Sequence, residues 1–184
     1  RFSYAPAAQF HKDATARILA HTEWYEVRIW SRELAKSTRT MMEVLYLTLV
    51  GHSAEDGNAK MRKRCVLLIS NSLDNASRLL MPYRANLECN KRIIPDYGKQ
   101  ETTGSWQECE FITQAGVAFR AMGAAQSPRG MRNEEVRPDI IIFDDVDTDI
   151  DCLNPEIIAR KWRWIEEAAI GTRSVSQPTT IIFC

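Results

Sequence analysis

Arg137-Pro138-Asp139-Ile140-Ile141-Ile142-Phe143-Asp144-Asp145-Val146-Asp147-Thr148 is the stretch on which the fold turns. Four consecutive apolar residues, Ile140 to Phe143, suit a central parallel strand covered on both faces. The strand runs straight into two adjacent carboxylates, Asp144 and Asp145, and open α/β sheets bind ligands at the carboxyl ends of such strands. One carboxylate can hold a hard cation such as Mg²⁺ while its neighbour polarises a water. Nucleotide hydrolysis needs that division of labour. A plain acidic turn has the same composition, so the pair gains its meaning from a partner upstream.

Glu26 to Trp30 reads as a strand, Ser31-Arg32-Glu33-Leu34-Ala35-Lys36-Ser37-Thr38 follows, and Thr40 to Leu49 has the spacing of a buried helix. Strand, short turn, Lys-Ser, helix is the context of a phosphate-binding loop. Backbone N–H groups and the positive helix end cradle phosphate, Lys36 reaches the β- and γ-phosphates, and the Ser37 hydroxyl ligates Mg²⁺. The usual Gly-x-x-x-x-Gly-Lys-Ser/Thr is modified, with Trp30 and Ala35 in the two glycine positions. Ala35 enters a positive φ less readily than glycine, so the loop is expected to carry strain or a different backbone. The order strand–Lys-Ser–helix, then strand–Asp-Asp, with further strand and helix signals between, points to an α/β P-loop NTPase with ATP and Mg²⁺ as ligands.

Ser31 to Thr38 resembles the deviant Walker A of tailed-phage terminase large subunits, which dispense with the first glycine and carry an arginine early in the loop. Gly123-Ala124-Ala125-Gln126-Ser127-Pro128-Arg129-Gly130-Met131-Arg132, followed by Arg137 to Asp145, is similar to the Arg-Gly-x-Arg segment and Walker B of that family. Ser70-Asn71-Ser72 through Ala76 resembles the segment after its second core strand. The match runs from about Phe10 to the end. The resemblance implies a RecA-like, additional-strand, mostly parallel sheet flanked by helices, and a single ATPase domain over 1–184 without the family's C-terminal nuclease domain. It implies a motor that hydrolyses ATP to drive viral DNA into the capsid. Lys36, Ser37 and Thr38 would bind phosphate and Mg²⁺, with Ser31, Arg32, Glu33, Leu34 and Ala35 completing the loop. Asp144 would join Ser37 at the metal, Asp145 would stand where the family has its catalytic carboxylate, and Arg32 would stabilise γ-phosphate charge. Gln9 lies where related ATPases place an adenine-contacting glutamine. The strand after Walker B would slot between the P-loop strand and the Walker B strand. The implied partners are double-stranded DNA, the portal protein and the terminase small subunit, in an oligomer on the portal. The implied place is the host cytoplasm at the procapsid portal vertex, or the cytoplasm of a prophage-bearing bacterium. A helicase-like motor and a nucleotide-binding scaffold that no longer hydrolyses are the rival readings.

In 184 residues, 45% apolar and 26% charged, the formal net charge is zero. This is the composition of an ordinary globular domain, and any DNA contact in it must be local. No apolar run approaches the ~20 residues that span a bilayer, and no secretory signal is read, so no membrane contact is expected. Cys65, Cys89, Cys109, Cys152 and Cys184 show no metal-ligand spacing with His11, His21 or His52, and read as reduced thiols.

Along the chain, Ala14 to His21 reads as a helix and Gly51 to Asn58 as a loop. Lys60 to Arg64 is the densest basic run; a solvated flank of the strand Cys65 to Ile69 is expected there, with a phosphate-backbone contact as the alternative. Leu73 to Leu87 reads as a helix despite Pro82, Pro95 to Ser105 as loop, and Glu110 to Thr113 with Val117 to Met122 as a hairpin or edge addition. Gln126 to Arg137 is an arginine-bearing loop, with Arg129 or Arg132 favoured for function. Asn154-Pro155 starts a helix to about Ile170, on which Trp162 and Trp164 cannot share a face. Thr179 to Phe183 reads as a last strand.

Overall fold

A computed structural model describes residues 6–52, 61–127, 137–174 and 177–184. Arg129, Gly130 and Arg132, and most of the loop read over 51–58, lie outside the described residues. Among the described residues, six strands form one sheet: β1 (Trp24–Val27), β2 (Cys65–Ser70), β3 (Glu110–Ile112), β4 (Ala118–Gly123), β5 (Ile140–Phe143) and β6 (Thr180–Phe183). Their order is β1-β6-β5-β2-β4-β3. Every neighbouring pair is parallel except β3 with β4, which is the hairpin expected from the sequence. Helices α1 (Gln9–Ala20), α2 (Lys36–Leu49) and α3 (Leu73–Cys89) share one core with one face of the sheet. On the other face lies α5 (Pro155–Trp164), which continues as a π segment, Ile165–Ala169, burying Ile165 and Ala169 against Leu67, Ile69 and Ile141. The fold is α/β, a mostly parallel sheet flanked by helices. No helix among the described residues is long and apolar enough to cross a membrane.

Central strands follow their sequence closely. β2 and β5 are buried at every position, as continuous apolar runs require. Ser72 Oγ caps α3 by accepting from Asn75 N at 3.2 Å, and the helix runs through Pro82. Asn154 Oδ1 accepts from Glu156 N and Ile157 N, starting α5 where Asn-Pro was read. At the end of β4 a Cβ on Gly123 would lie 2.8 Å from Leu73 N, so only glycine lets this strand pass the start of α3.

Four readings are corrected. β1 lies two residues earlier than Glu26 to Trp30, because β6 offers partners only from Thr180 to Phe183; Arg28 N takes the last carbonyl, of Phe183, at 2.8 Å. α1 begins at Gln9 rather than Ala14, its first turn held by Ala8 N donating to His11 Nδ1 at 3.1 Å. The segment read as loop after residue 95 opens with one helical turn, α4 (Ile94–Tyr97), with Pro95 in its first turn. Lys63 is not a solvated flank. It is fully buried at the start of β2, with Nζ donating to Thr22 O at 2.7 Å and Pro178 O at 2.6 Å. Those carbonyls lead into β1 and β6, so one amine ties together the approaches to three strands.

Burial pushes the Lys63 amine down to about 8, and Asp139 and Glu23 only partly offset it. The folded value lies below the unfolded one, so between them the unfolded chain holds the extra proton and stability rises with pH. Lys63→Met leaves two carbonyls unpaired and should lower stability by about 1–3 kcal/mol. In urea melts, the gap between wild type and the variant should widen from about pH 7 to about pH 10 as the buried charge disappears. A gap that stays constant over that range would place the amine in solvent.

Candidate functional site

Parallel strands bring the carboxyl ends of β1, β5, β2 and β6 to one end of the sheet. The chain leaving β1 turns through 31–35, with Leu34 N donating to Ser31 O at 3.4 Å, and enters α2 at Lys36. Glu33 (φ 68°) and Ala35 (φ 56°, ψ 31°) both sit in the left-handed region. The strain expected at Ala35 is therefore present, at about 1–3 kcal/mol for each such residue. An anchor from α1 helps hold the loop. His11 Nδ1 accepts from Ala8 N, which leaves Nε2 to donate to Leu34 O at 2.9 Å. The rings of Phe10 and His11 each lie 5.2 Å from that of Trp30.

Among the described residues no side chain caps the start of α2, and its first turn carries no acid. Its leading N–H groups, with Lys36 beside them, suit an anion. One residue on, Ser37 Oγ donates to Asp144 Oδ2 at 2.8 Å. That bond joins the start of α2 to the end of β5 across 107 residues of sequence. Asp144 is 5% exposed. Burial raises its ionisation above the usual carboxylate range and the charge of Asp145 raises it further, while the Ser37 bond and Lys36 draw it down. Lys36 opens α2 one residue before Ser37, and its charge acts on both Asp144 and Cys184. Asp145 is exposed and left-handed (φ 47°), its carbonyl accepting from Asn71 N at 3.2 Å and Ser70 Oγ at 3.4 Å. The next strand ends close by: Cys184 N donates to Phe143 O at 2.8 Å, and Cys184 Sγ lies 3.3 Å from Thr40 Oγ1. Burial, and then Asp144, push the Cys184 thiol up to about 11.

Under the loop lies a buried ion pair. Arg28 gives one guanidinium nitrogen to Glu43 and another to Thr40 Oγ1 at 2.7 Å, and its charge sits 5.0 Å from the centre of the Trp30 ring. Thr15 Oγ1 donates to the other Glu43 oxygen at 2.6 Å, and Thr40 Oγ1 donates to Lys36 O at 3.0 Å. β1, α1 and the first turn of α2 are thus one hydrogen-bonded unit. Sequence reading passed over Arg28, Thr40, Glu43 and His11; the one available sign was a charge at the end of a strand, two residues before the loop.

No protein-family model matches this chain, and no curated protein matches it. The site is therefore read from its own geometry. Lys36, Ser37, Thr38 and Asp144 are brought together, with Asp145 adjacent in the chain. Ser31, Arg32, Glu33 and Leu34 form the exposed outer loop, and Arg32 has no hydrogen bond or ion pair among the described residues. Gln9 stands on the first turn of α1, two residues from the His11 anchor, but its amide donates to Asp13 Oδ1 at 2.7 Å. The described residues hold no group of three or more His, Cys, Asp or Glu suited to a metal. One hydroxyl and one carboxylate fit Mg²⁺ nevertheless, because this ion keeps water and phosphate oxygens in its remaining positions.

Asp144 supplies the pH and mutational test. Its folded value is raised, so the unfolded chain releases the proton first and stability falls as pH climbs from the unfolded value to the folded one. Asp144→Asn keeps an acceptor for Ser37 and removes a buried charge. At neutral pH the ligand-free variant should melt higher than wild type by calorimetry, and it should lose any stabilisation by Mg²⁺. A variant melting lower would show that the carboxylate is better compensated than its surroundings indicate.

Proposed function

We propose that this chain is the ATP-hydrolysing motor domain of a DNA-packaging machine, resembling the ATPase domain of tailed-phage terminase large subunits. The observation that carries the reading is the Ser37–Asp144 hydrogen bond at the head of an uncapped helix. It pairs the hydroxyl of a Lys-Ser helix start with the carboxylate that ends a buried strand. Sheet order supports the additional-strand arrangement, since β6 lies between β1 and β5.

In this reading the N–H groups at the start of α2 and the Lys36 amine hold the β- and γ-phosphates. Ser37 Oγ and the Asp144 carboxylate hold Mg²⁺, which when bound neutralises phosphate charge. The Asp145 carboxylate orients the attacking water and takes its proton. Arg32 is free to meet charge developing on the γ-phosphate. The Arg28–Glu43 pair fixes the first turn of α2, so that Lys36 does not reorganise during the reaction. Double-stranded DNA, a portal protein and a small terminase subunit are the proposed partners, with assembly on the portal at the procapsid.

The test is nucleotide binding and turnover, with and without DNA. Wild type should bind ATP–Mg²⁺; Lys36→Ala should abolish binding with the fold intact. Asp145→Asn should keep binding and lose about 10²- to 10⁴-fold in turnover. DNA stimulation separates a motor from a scaffold that only binds nucleotide. A folded wild type that binds no nucleotide overturns the reading.

A further inference from the structure

A cleft of about 190 Å³ lies between α2 and α3, directly beside the hydroxyl–carboxylate pair. Ser37, Thr38 and Asp144 line its mouth, and Met41, Leu68 and Ile142 its floor. The α3 wall contributes Arg78 and Tyr83. Pro82 also lies on that wall and lacks the N–H that would bond the carbonyl of residue 78.

Both polar groups on that wall lack a partner. Tyr83 is 3% exposed and its ring packs 5.9 Å from that of Phe119, yet its hydroxyl has no hydrogen bond among the described residues. Burial lifts its ionisation well above that of an ordinary phenol. Cys184, Asp144 and Glu43 lift it further. Tyr83 lines the cleft, so its hydroxyl can donate to an acceptor there. Arg78 stands on the ridge between this cleft and an outer groove along α3, exposed and without an ion pair among the described residues. A guanidinium is suited to bidentate contact with phosphate oxygens.

Placement decides which phosphate. α3 follows β2, and β2 lies on the side of β5 away from β1. Ser37, Thr38 and Asp144, which in the reading above hold the β- and γ-phosphates and their Mg²⁺, line the same cleft as Arg78 and Tyr83, so a group on this wall of α3 meets the γ end. We infer that Arg78 and Tyr83 bind the terminal phosphate of a nucleoside triphosphate, so that α3 distinguishes triphosphate from diphosphate. The inference rests on the nucleotide reading above, but assigns a role to a helix which that reading leaves unused.

Calorimetric titration with a non-hydrolysable ATP analogue and with ADP, both with Mg²⁺, tests it. Arg78→Ala should weaken the analogue about 10- to 100-fold and change ADP by less than about twofold, the size of a lost charge-assisted contact. Tyr83→Phe keeps the ring packing and should give a smaller loss in the same direction, with its melting temperature confirming the fold. Equal losses for both nucleotides, or no loss for either, overturn the assignment while leaving the nucleotide site standing. A folded wild type that binds neither nucleotide overturns the site itself and this role with it.

Discussion

Strand spacing governs the site. Neighbouring strands lie about 4.8 Å apart, so β1 and β5, with β6 between them, are separated by roughly 10 Å. The loop leaving β1 has to carry the head of α2 over the end of β6 before Ser37 can meet Asp144. It does so in the eight residues 28–35, two of them left-handed, between a strand that ends at Val27 and a helix that begins at Lys36. The ladder itself continues under the crossing, with Arg28 bonded to Phe183 and Cys184 to Phe143. The sheet thus sets the distance, and the backbone strain is the local response.

Strain of this kind persists only where surrounding structure over-determines it. Here the Arg28–Glu43 pair supplies that determination. Burying two charges has a desolvation penalty that mutual attraction offsets only with good geometry, and removing one partner from such a pair typically costs about 3–5 kcal/mol. Glu43 is saturated by Arg28 and Thr15, although Arg28 Nε has no acceptor. The pair is therefore better understood as a means of fixing orientation than as a large source of stability. Its neighbour Thr40 touches Arg28, Lys36 and Cys184 at once, so β1, α2 and the end of β6 cannot shift independently.

What the sequence revealed follows from which strands are central. β2 and β5 have neighbours on both sides, and their unbroken apolar runs could be read almost to the residue. β1 is an edge strand, and its apolar residues point the wrong way for that kind of reading. Tyr25, Val27 and Ile29 are 48%, 66% and 94% exposed, while Glu26 and Arg28 are buried. Hydrophobicity drew the expected strand towards Ile29 and Trp30 when the hydrogen-bonded register lay upstream. Lys63 hid in a basic run for a related reason: its partners are backbone carbonyls, which have no signature in side-chain chemistry. The Lys-Ser and Asp-Asp motifs could be paired because each sits at a strand end that the sequence does mark. Arg78 and Tyr83 could not, because a helix wall facing a cleft looks the same in sequence as one facing a core.

The strand order also constrains how the chain can assemble. Among the described residues β1 pairs with β6 alone, and about 150 residues of sequence separate them. Until β6 inserts, β1 has no hydrogen-bonding partner and β5 presents an open edge beside it. Contacts this distant in sequence are slow to form, and unpaired edges invite pairing with other chains. During synthesis the β2–β4–β5 half can condense as soon as it leaves the ribosome, while the loop that carries Lys36 waits for Thr180 to Phe183. Acquisition of the site is therefore a late event, and the interval before it is when this protein is most exposed to aggregation and most dependent on chaperones.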